Sequence, residues 1–304
     1  MECAKSSSLE TSRIAFARLL EQFRQAHGPD RVRQQSVLNQ VMGELTQQWD
    51  SHFPDFPPNS VAHASFKGVM SRGIRDTYLK QLIQHTLANT EDDNGDKTIV
   101  NPVCVFGRHA RDLAAALPSF QVVATDIFSG CNWIYQLLGK HPSSDNYKFF
   151  RDNIFNPQVT VKPLAVVFFG ACGSLTDAAI DYTIQRQARY LMCRTCCHDN
   201  IAGNTHIVRR ANTLNRAFRL KNLNYRLAQR LLKGHYFDVG YGPDHYPTSA
   251  AARQISTSEE FLTMSRHSVD NDLCRTLIDL DRCLYLTEQG YQVFYRGELL
   301  VAIR

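Results

Sequence analysis

The sequence predicts an α/β protein with a mostly parallel sheet that ends in an antiparallel hairpin, preceded by an N-terminal helical region. Two observations carry this prediction. Short apolar runs alternate with helical segments between residues 97 and 200, a pattern typical of parallel strands covered on both faces. The last residues form two short apolar runs, 291–295 and 298–304, separated by Arg296 and Gly297, which indicates a hairpin.

Five segments before the hairpin are the predicted strands. The clearest contains six apolar residues in a row and stops at Gly170. The five segments cover residues 103–106, 120–125, 147–151, 164–169 and 190–195. Leucines recur at helical spacing before Gly290, so we expect a long helix to lead into the hairpin.

Residues 1–96 are predicted to form a helical region with a proline-rich linker that caps or supports the sheet. Amphipathic patterns predict two helices within residues 8–49 and a third over 69–87. Three prolines between residues 51 and 60 indicate the linker. Residues 97–304 are predicted to form the domain that contains the sheet.

The composition predicts a cytoplasmic protein without membrane contacts. An apolar content of 43% and a charged content of 21% are ordinary for a globular protein. No apolar run is long enough to span a bilayer, and the first residues lack a signal-peptide core. The nine cysteines are odd in number, and several lie beside apolar runs, which favours reduced thiols.

The segment from residue 103 to residue 126 has the pattern of a strand, a glycine turn, a helix and a second strand. In such units the turn approaches a nucleotide-like ligand, and an acid after the second strand binds the ribose hydroxyls. Asp126 follows Gly107 by 19 residues, close to the separation expected for that acid. The alternative is a structural crossover that binds no ligand.

This segment, together with the terminal hairpin, resembles the class I S-adenosylmethionine-dependent methyltransferases. That family has a Rossmann-like, seven-stranded sheet and a glycine-rich motif after its first strand. Gly107 matches the first motif glycine, whereas His109 and Arg111 stand at the positions of the other two. The resemblance implies that Asp126 binds the ribose and that Asp152 meets the adenine amino group of the cofactor.

A second block is similar to a methyltransferase subgroup that includes tRNA ribose methyltransferases. In that subgroup the fourth strand ends in His-x-Cys-Gly and the fifth in Cys-Cys-His or Cys-Cys-Tyr. Gly170 replaces the histidine in this chain. The matching residues are Cys172, Gly173, Thr176, Asp177, Cys196, Cys197 and His198.

Residues that follow the predicted strands should gather at one edge of the sheet. The cofactor contacts expected there are Gly107, His109, Asp126, Ile127, Asp152, Asn153, Phe169 and Gly170. The acceptor side is expected to involve Cys172, Arg209, Arg210, His235, Tyr236 and His245. His198 or Asp199 would accept a proton where the acceptor must lose one. In the alternative interpretation, residues 196–198 only finish a buried strand.

Cys193, Cys196, Cys197 and His198 could alternatively bind zinc. The chain offers no clean second ligand pair, and adjacent residues of a strand face opposite ways. We therefore expect no metal.

Residues 201–236 contain eight basic residues and no Asp or Glu. Such a surface attracts RNA or a phosphorylated metabolite; the alternative is a solvated helix face paired with acids elsewhere. The expected function is methyl transfer from S-adenosyl-L-methionine to RNA or to a small anionic or nitrogenous metabolite. The alternative is a catalytically inactive methyltransferase-like binding or scaffold protein, favoured by the changed glycine motif.

Overall fold

The structure, a computed structural model, describes part of the 304-residue chain. The described residues are 43, 45–54, 72–90, 97–104, 107–126, 145–172, 174–196, 198 and 269–304. The predicted helix at the start of residues 8–49, most of the linker, the basic segment 201–236 and the loop 235–246 lie outside them.

Helices precede the first strand and separate the first strand from the second and the fourth from the fifth, and a long helix precedes the last two strands. In chain order the elements are α1 Arg72–Ala88, β1 Thr98–Pro102, α2 Arg108–Ala116, β2 Gln121–Asp126, β3 Tyr147–Arg151, β4 Ala165–Cys172, α3 Ser174–Gln185, β5 Tyr190–Cys196, α4 Val269–Glu288, β6 Gln292–Arg296 and β7 Leu299–Ile303.

The strands form one seven-stranded sheet in the order β3-β2-β1-β4-β5-β7-β6. The first five strands run parallel to one another. The last hairpin inserts β7 antiparallel between β5 and β6. This order confirms the predicted Rossmann-like sheet with its C-terminal antiparallel hairpin, the arrangement of the methyltransferase fold.

The first strand lies earlier than predicted. The prediction placed it at residues 103–106, whereas β1 ends at Pro102. Val103 has a φ of 54°, in the left-handed region that a β-branched residue rarely adopts, and the chain leaves the sheet there. The apolar run chosen from the sequence therefore begins where the strand has already ended.

The hairpin is confirmed, but its turn lies one residue later than predicted. Arg296 still belongs to β6 and pairs with Leu299. The two connecting residues are Gly297 and Glu298, with φ of 52° and 70°. Two successive positive φ values are typical of the type I′ turn, which matches the twist of antiparallel strands.

Helices cover both faces of the sheet. On one face α3 and α4 pack against the sheet in a cluster that includes Leu280 and Tyr291. On the other face α1, α2 and helical residues 45–52 form a second cluster, in which Trp49 and Leu82 are fully buried. The described part of the predicted N-terminal region thus shares a core with the sheet.

Among the described residues, no helix is both long enough and apolar enough to cross a membrane.

Candidate cofactor and active site

The strand order places a topological switch point at the carboxyl ends of β1 and β4, where open α/β sheets have a crevice. β1 lies between β2 and β4, so the connections that follow β1 and β4 leave the sheet in opposite directions. Ligands of open α/β sheets bind at such a switch point. The predicted site residues nearest to it are Gly107 after β1, Asp126 at the end of β2, and Phe169 in β4.

The turn after β1 requires glycine at residue 107. Gly107 has a φ of 63°, and an added Cβ would lie 2.7 Å from the hydroxyl oxygen of Tyr147. Its N–H donates to the carbonyl of Cys104 (2.9 Å), and the N–H of Cys104 donates to the carbonyl of Thr125 (3.0 Å). These bonds tie the glycine turn to the end of β2, directly before Asp126.

Asp126 and Asp152 are both buried at the ends of neighbouring strands. The side chain of Asp126 is 4% exposed, and its carbonyl accepts the N–H of Asp152 (3.0 Å). The carboxylate of Asp152 accepts the backbone N–H groups of Asn153 (2.9 Å), Gln158 (2.9 Å) and Val159 (3.1 Å). Asp152 therefore shapes its own loop, and most of its acceptor capacity is in use.

His109, in the first turn of α2, bridges the crevice. Its imidazole stacks on the ring of Phe169, with centroids 4.3 Å apart and planes 19° from parallel. Nε2 of His109 lies 3.6 Å from Oδ2 of Asp76 in α1. The side chain is 29% exposed. Burial lowers the pKa of His109, although Asp76 acts in the opposite direction.

Arg194 and Asp76 complete this cluster, and both were missed by the sequence analysis. The Nε of Arg194 donates to Oδ1 of Asp76 (2.8 Å), and its Nη2 donates to the carbonyl of Phe169 (3.2 Å). Gly170 has a φ of 89°, and a Cβ there would lie 2.7 Å from Nη2 of Arg194. One feature of the sequence indicated this cluster: Arg194 is a charged residue inside the predicted strand 190–195.

His198 lies apart from this cluster. It is 1% exposed, and its Nε2 lies 2.8 Å from Oδ2 of Asp279 in α4. Its Nδ1 is buried and has no hydrogen-bond partner among the described residues. Helix α4 packs on one face of the sheet, whereas the Phe169 ring belongs to the cluster on the other face. The structure therefore does not bring His198 and His109 together.

Asp279 is the centre of a buried polar network. Its carboxylate accepts hydrogen bonds from the hydroxyls of Thr195 (2.6 Å) and Tyr295 (3.1 Å) and from Nη1 of Arg282 (2.9 Å). Arg282 also donates to Asp177 (2.8 Å). Burial acts to raise the pKa of the Asp279 carboxyl, but the neighbouring positive charges and donors outweigh it, so that pKa is lowered.

Several predicted site residues are not covered by the structure. Cys172 ends β4, and its side chain is outside the description. Seven further predicted site residues lie entirely outside the described residues: Ile127, Asp199, Arg209, Arg210, His235, Tyr236 and His245. Within the described ranges, no group of three His, Cys, Asp or Glu side chains could hold a metal ion. Burial raises the pKa of Cys193 well above its usual range, which favours the thiol over a metal-binding thiolate.

No protein-family model and no curated protein matches the chain. The structure is similar to several solved structures at low identity. A sugar N-methyltransferase from Streptoalloteichus matches over 41% of this chain and 49% of its own, with 10% identity and a TM-score of 0.30. An O-methyltransferase family protein from Burkholderia thailandensis matches over 77% and 59%, with 10% identity and a TM-score of 0.37. Magnesium protoporphyrin IX methyltransferase from Synechocystis, with bound SAH, matches over 86% and 99%, with 12% identity and a TM-score of 0.35.

Proposed function

We propose that the protein is an S-adenosylmethionine-dependent methyltransferase. The observation that carries the proposal is a buried acid, Asp126, at the end of β2, next to a glycine turn tied to the same strand end. Both lie beside the switch point of a sheet with the methyltransferase strand order. In this proposal the Asp126 carboxylate accepts hydrogen bonds from the hydroxyls of the cofactor's ribose.

The residues at the crevice fit the rest of the cofactor. The first backbone N–H groups of α2 lack partners within the helix and favour an anion, which suits the carboxylate of the amino-acid end. Asp152 accepts three backbone hydrogen bonds, and a carboxylate has about four acceptor sites, so one remains for the adenine amino group. When bound, S-adenosylmethionine supplies an electrophilic methyl group, and the protein positions it and excludes water.

The acceptor is proposed to be RNA or a small anionic or nitrogenous metabolite. The basic residues between 201 and 236 favour RNA. Affinity for RNA should then fall steeply with salt, and changing Arg209, Arg210 and Arg216 to Glu should abolish it. RNA affinity that is unchanged in this triple variant would reject RNA as the acceptor. His198 and Asp199 stay predictions for the proton acceptor.

Calorimetry with S-adenosylmethionine tests the proposal. Asp126→Ala removes charge-assisted hydrogen bonds, which contribute about 1.5–3 kcal/mol, so affinity should fall roughly tenfold or more. Asp145→Ala is the matched control, because Asp145 is an exposed acid in the turn before β3. Equal binding by the two variants would contradict the role of Asp126.

A catalytically inactive scaffold protein is the second candidate. The observation that favours it is the filling of two motif-glycine positions by packed side chains. His109 stacks on Phe169, and Arg111 is 3% exposed with its guanidinium 5.0 Å from the Tyr147 ring centroid. Absence of any binding heat with S-adenosylmethionine in the unmodified protein would favour this candidate.

A further inference from the structure

The stacked pair of His109 and Phe169 lies at the switch point of the sheet, after β1 and in β4. Phe169 belongs to β4, and His109 lies in the first turn of the helix that follows β1, so the two rings span the switch point. Part of the imidazole remains accessible, at 29% exposure. A cation held against an aromatic face in such a partly desolvated place is stabilised by the ring quadrupole.

We propose that the His109–Phe169 pair forms a wall of the pocket for the sulfonium of the methyl donor, and that only the neutral imidazole admits this cation. The inference rests on the function proposed above and adds a specificity residue to it. Protonated His109 would place a positive charge beside the sulfonium, and two like charges a few ångströms apart repel strongly in a partly buried site. Protonation of His109 therefore changes the interaction of the ring pair with the sulfonium from attractive to repulsive.

Burial and the charged groups around His109 together determine the pKa of its imidazole. From α1, Asp76 and Lys80 face the ring; from α2 itself, Arg108 and Asp112 do. Arg194 of β5 reaches the site through its ion pair with Asp76. Burial is the largest effect and lowers the pKa, the two acids raise it, and the two nearby cations lower it.

The net direction is a pKa below the ordinary histidine value of 6.5. His109 is therefore neutral at neutral pH and becomes cationic only in acid. The Asp76 carboxylate lies close enough to the ring to hold the imidazolium once it forms, with 3.6 Å between Nε2 and Oδ2. Binding of the sulfonium should accordingly weaken as pH falls.

The matched probes are S-adenosylmethionine and S-adenosylhomocysteine, which share every titratable group and differ in the methyl group and the charge on sulfur. Their dissociation constants are measured by calorimetry from about pH 8 to about pH 5, and the imidazole pKa is followed by NMR on the same protein. The ratio of the constant for S-adenosylmethionine to that for S-adenosylhomocysteine should rise roughly tenfold as pH falls through the His109 pKa.

His109→Phe keeps an aromatic face but cannot be protonated, so its ratio should stay constant with pH. His109→Gln provides the same non-titrating test in a second variant. His85→Gln is the control, since His85 is an exposed histidine in the last turn of α1, and it should keep the full pH dependence. Circular dichroism checks that each variant is folded.

Parallel pH dependence for the two probes would overturn the inference, and so would a ratio in His109→Phe that still rises in acid. Failure of both probes to bind the unmodified protein at every pH would overturn the proposed function, and this inference with it. Binding of both probes with a flat ratio would leave the proposed function standing and reject the sulfonium wall alone.

Discussion

Replacing Asp279 by Asn should destabilise the protein strongly. The carboxylate is fully buried and lies against Arg282, which is fully buried too. Removing one charge from a buried ion pair costs about 3–5 kcal/mol, because the remaining charge is left without compensation. Arg282 keeps its ion pair with Asp177, so we expect about 3 kcal/mol, at the lower end of that range.

Urea unfolding followed by circular dichroism measures this cost as a lower transition midpoint with an unchanged slope. In a thermal scan the same cost corresponds to roughly 6–12 °C in Tm. Asp50→Asn is the matched control, because the Asp50 side chain is 37% exposed in its ion pair with Arg296 and such pairs contribute about 0–1 kcal/mol. A loss below about 1 kcal/mol for Asp279→Asn, or a loss equal to that of the control, would refute the reasoning.

The free energy of unfolding of the unmodified protein and of Asp279→Asn should also differ in its dependence on pH. The pKa of Asp279 is lowered in the folded protein from its ordinary value of 3.8. Its charge therefore stabilises the fold at every pH above that value, and this contribution is lost as pH falls through the lower folded pKa. The stability difference between the unmodified protein and Asp279→Asn should therefore shrink in strong acid, as pH falls through the lowered pKa of Asp279.

Gly170 and Gly290 both have positive φ, 89° and 84°, but only at Gly170 would a Cβ collide with Arg194. Gly170→Ala should cost roughly 1–3 kcal/mol more than Gly290→Ala in urea unfolding, and equal costs would contradict the collision. Burial and the adjacent Asp181 raise the pKa of Tyr285 to about 12. Asp181→Asn should lower that pKa in an ultraviolet titration, and an unchanged value would assign the shift to burial alone.

Much of the sheet was predictable because its strands are short segments rich in apolar and aromatic residues. β3 begins and ends where predicted, and β5 begins where predicted. The first strand was misplaced because Asn101 and Pro102 resemble a turn. In the structure the Asn101 side chain is 2% exposed and donates to the carbonyl of Val167 (2.6 Å), a contact between strands that local sequence does not reveal. Pro102 is tolerated because it is the last residue of the strand.

The candidate site was only partly predictable, since its charges come from distant segments. Gly107 could be placed at the carboxyl edge of the sheet from the sequence, because residues that follow parallel strands lie at that edge. The ion pair of Asp76 with Arg194 joins residues 118 positions apart, and no local pattern indicates such a pairing. Asp279 and Arg282 interrupt an apolar helix face, and two charges at such positions are the signal that indicates a buried network.

The changed glycine motif bears on ligand binding far more than on folding. Gly107 is required by its positive φ and by Tyr147, whereas His109 and Arg111 lie within helix α2, whose backbone does not require glycine. Replacing His109 should therefore cost little stability, about 1 kcal/mol or less, because His109→Phe keeps an aromatic ring against Phe169 and His109→Gln removes only that one stacked contact. Affinity for the methyl donor, measured in His109 variants that fold equally well, then separates a catalytic protein from a scaffold of the same fold.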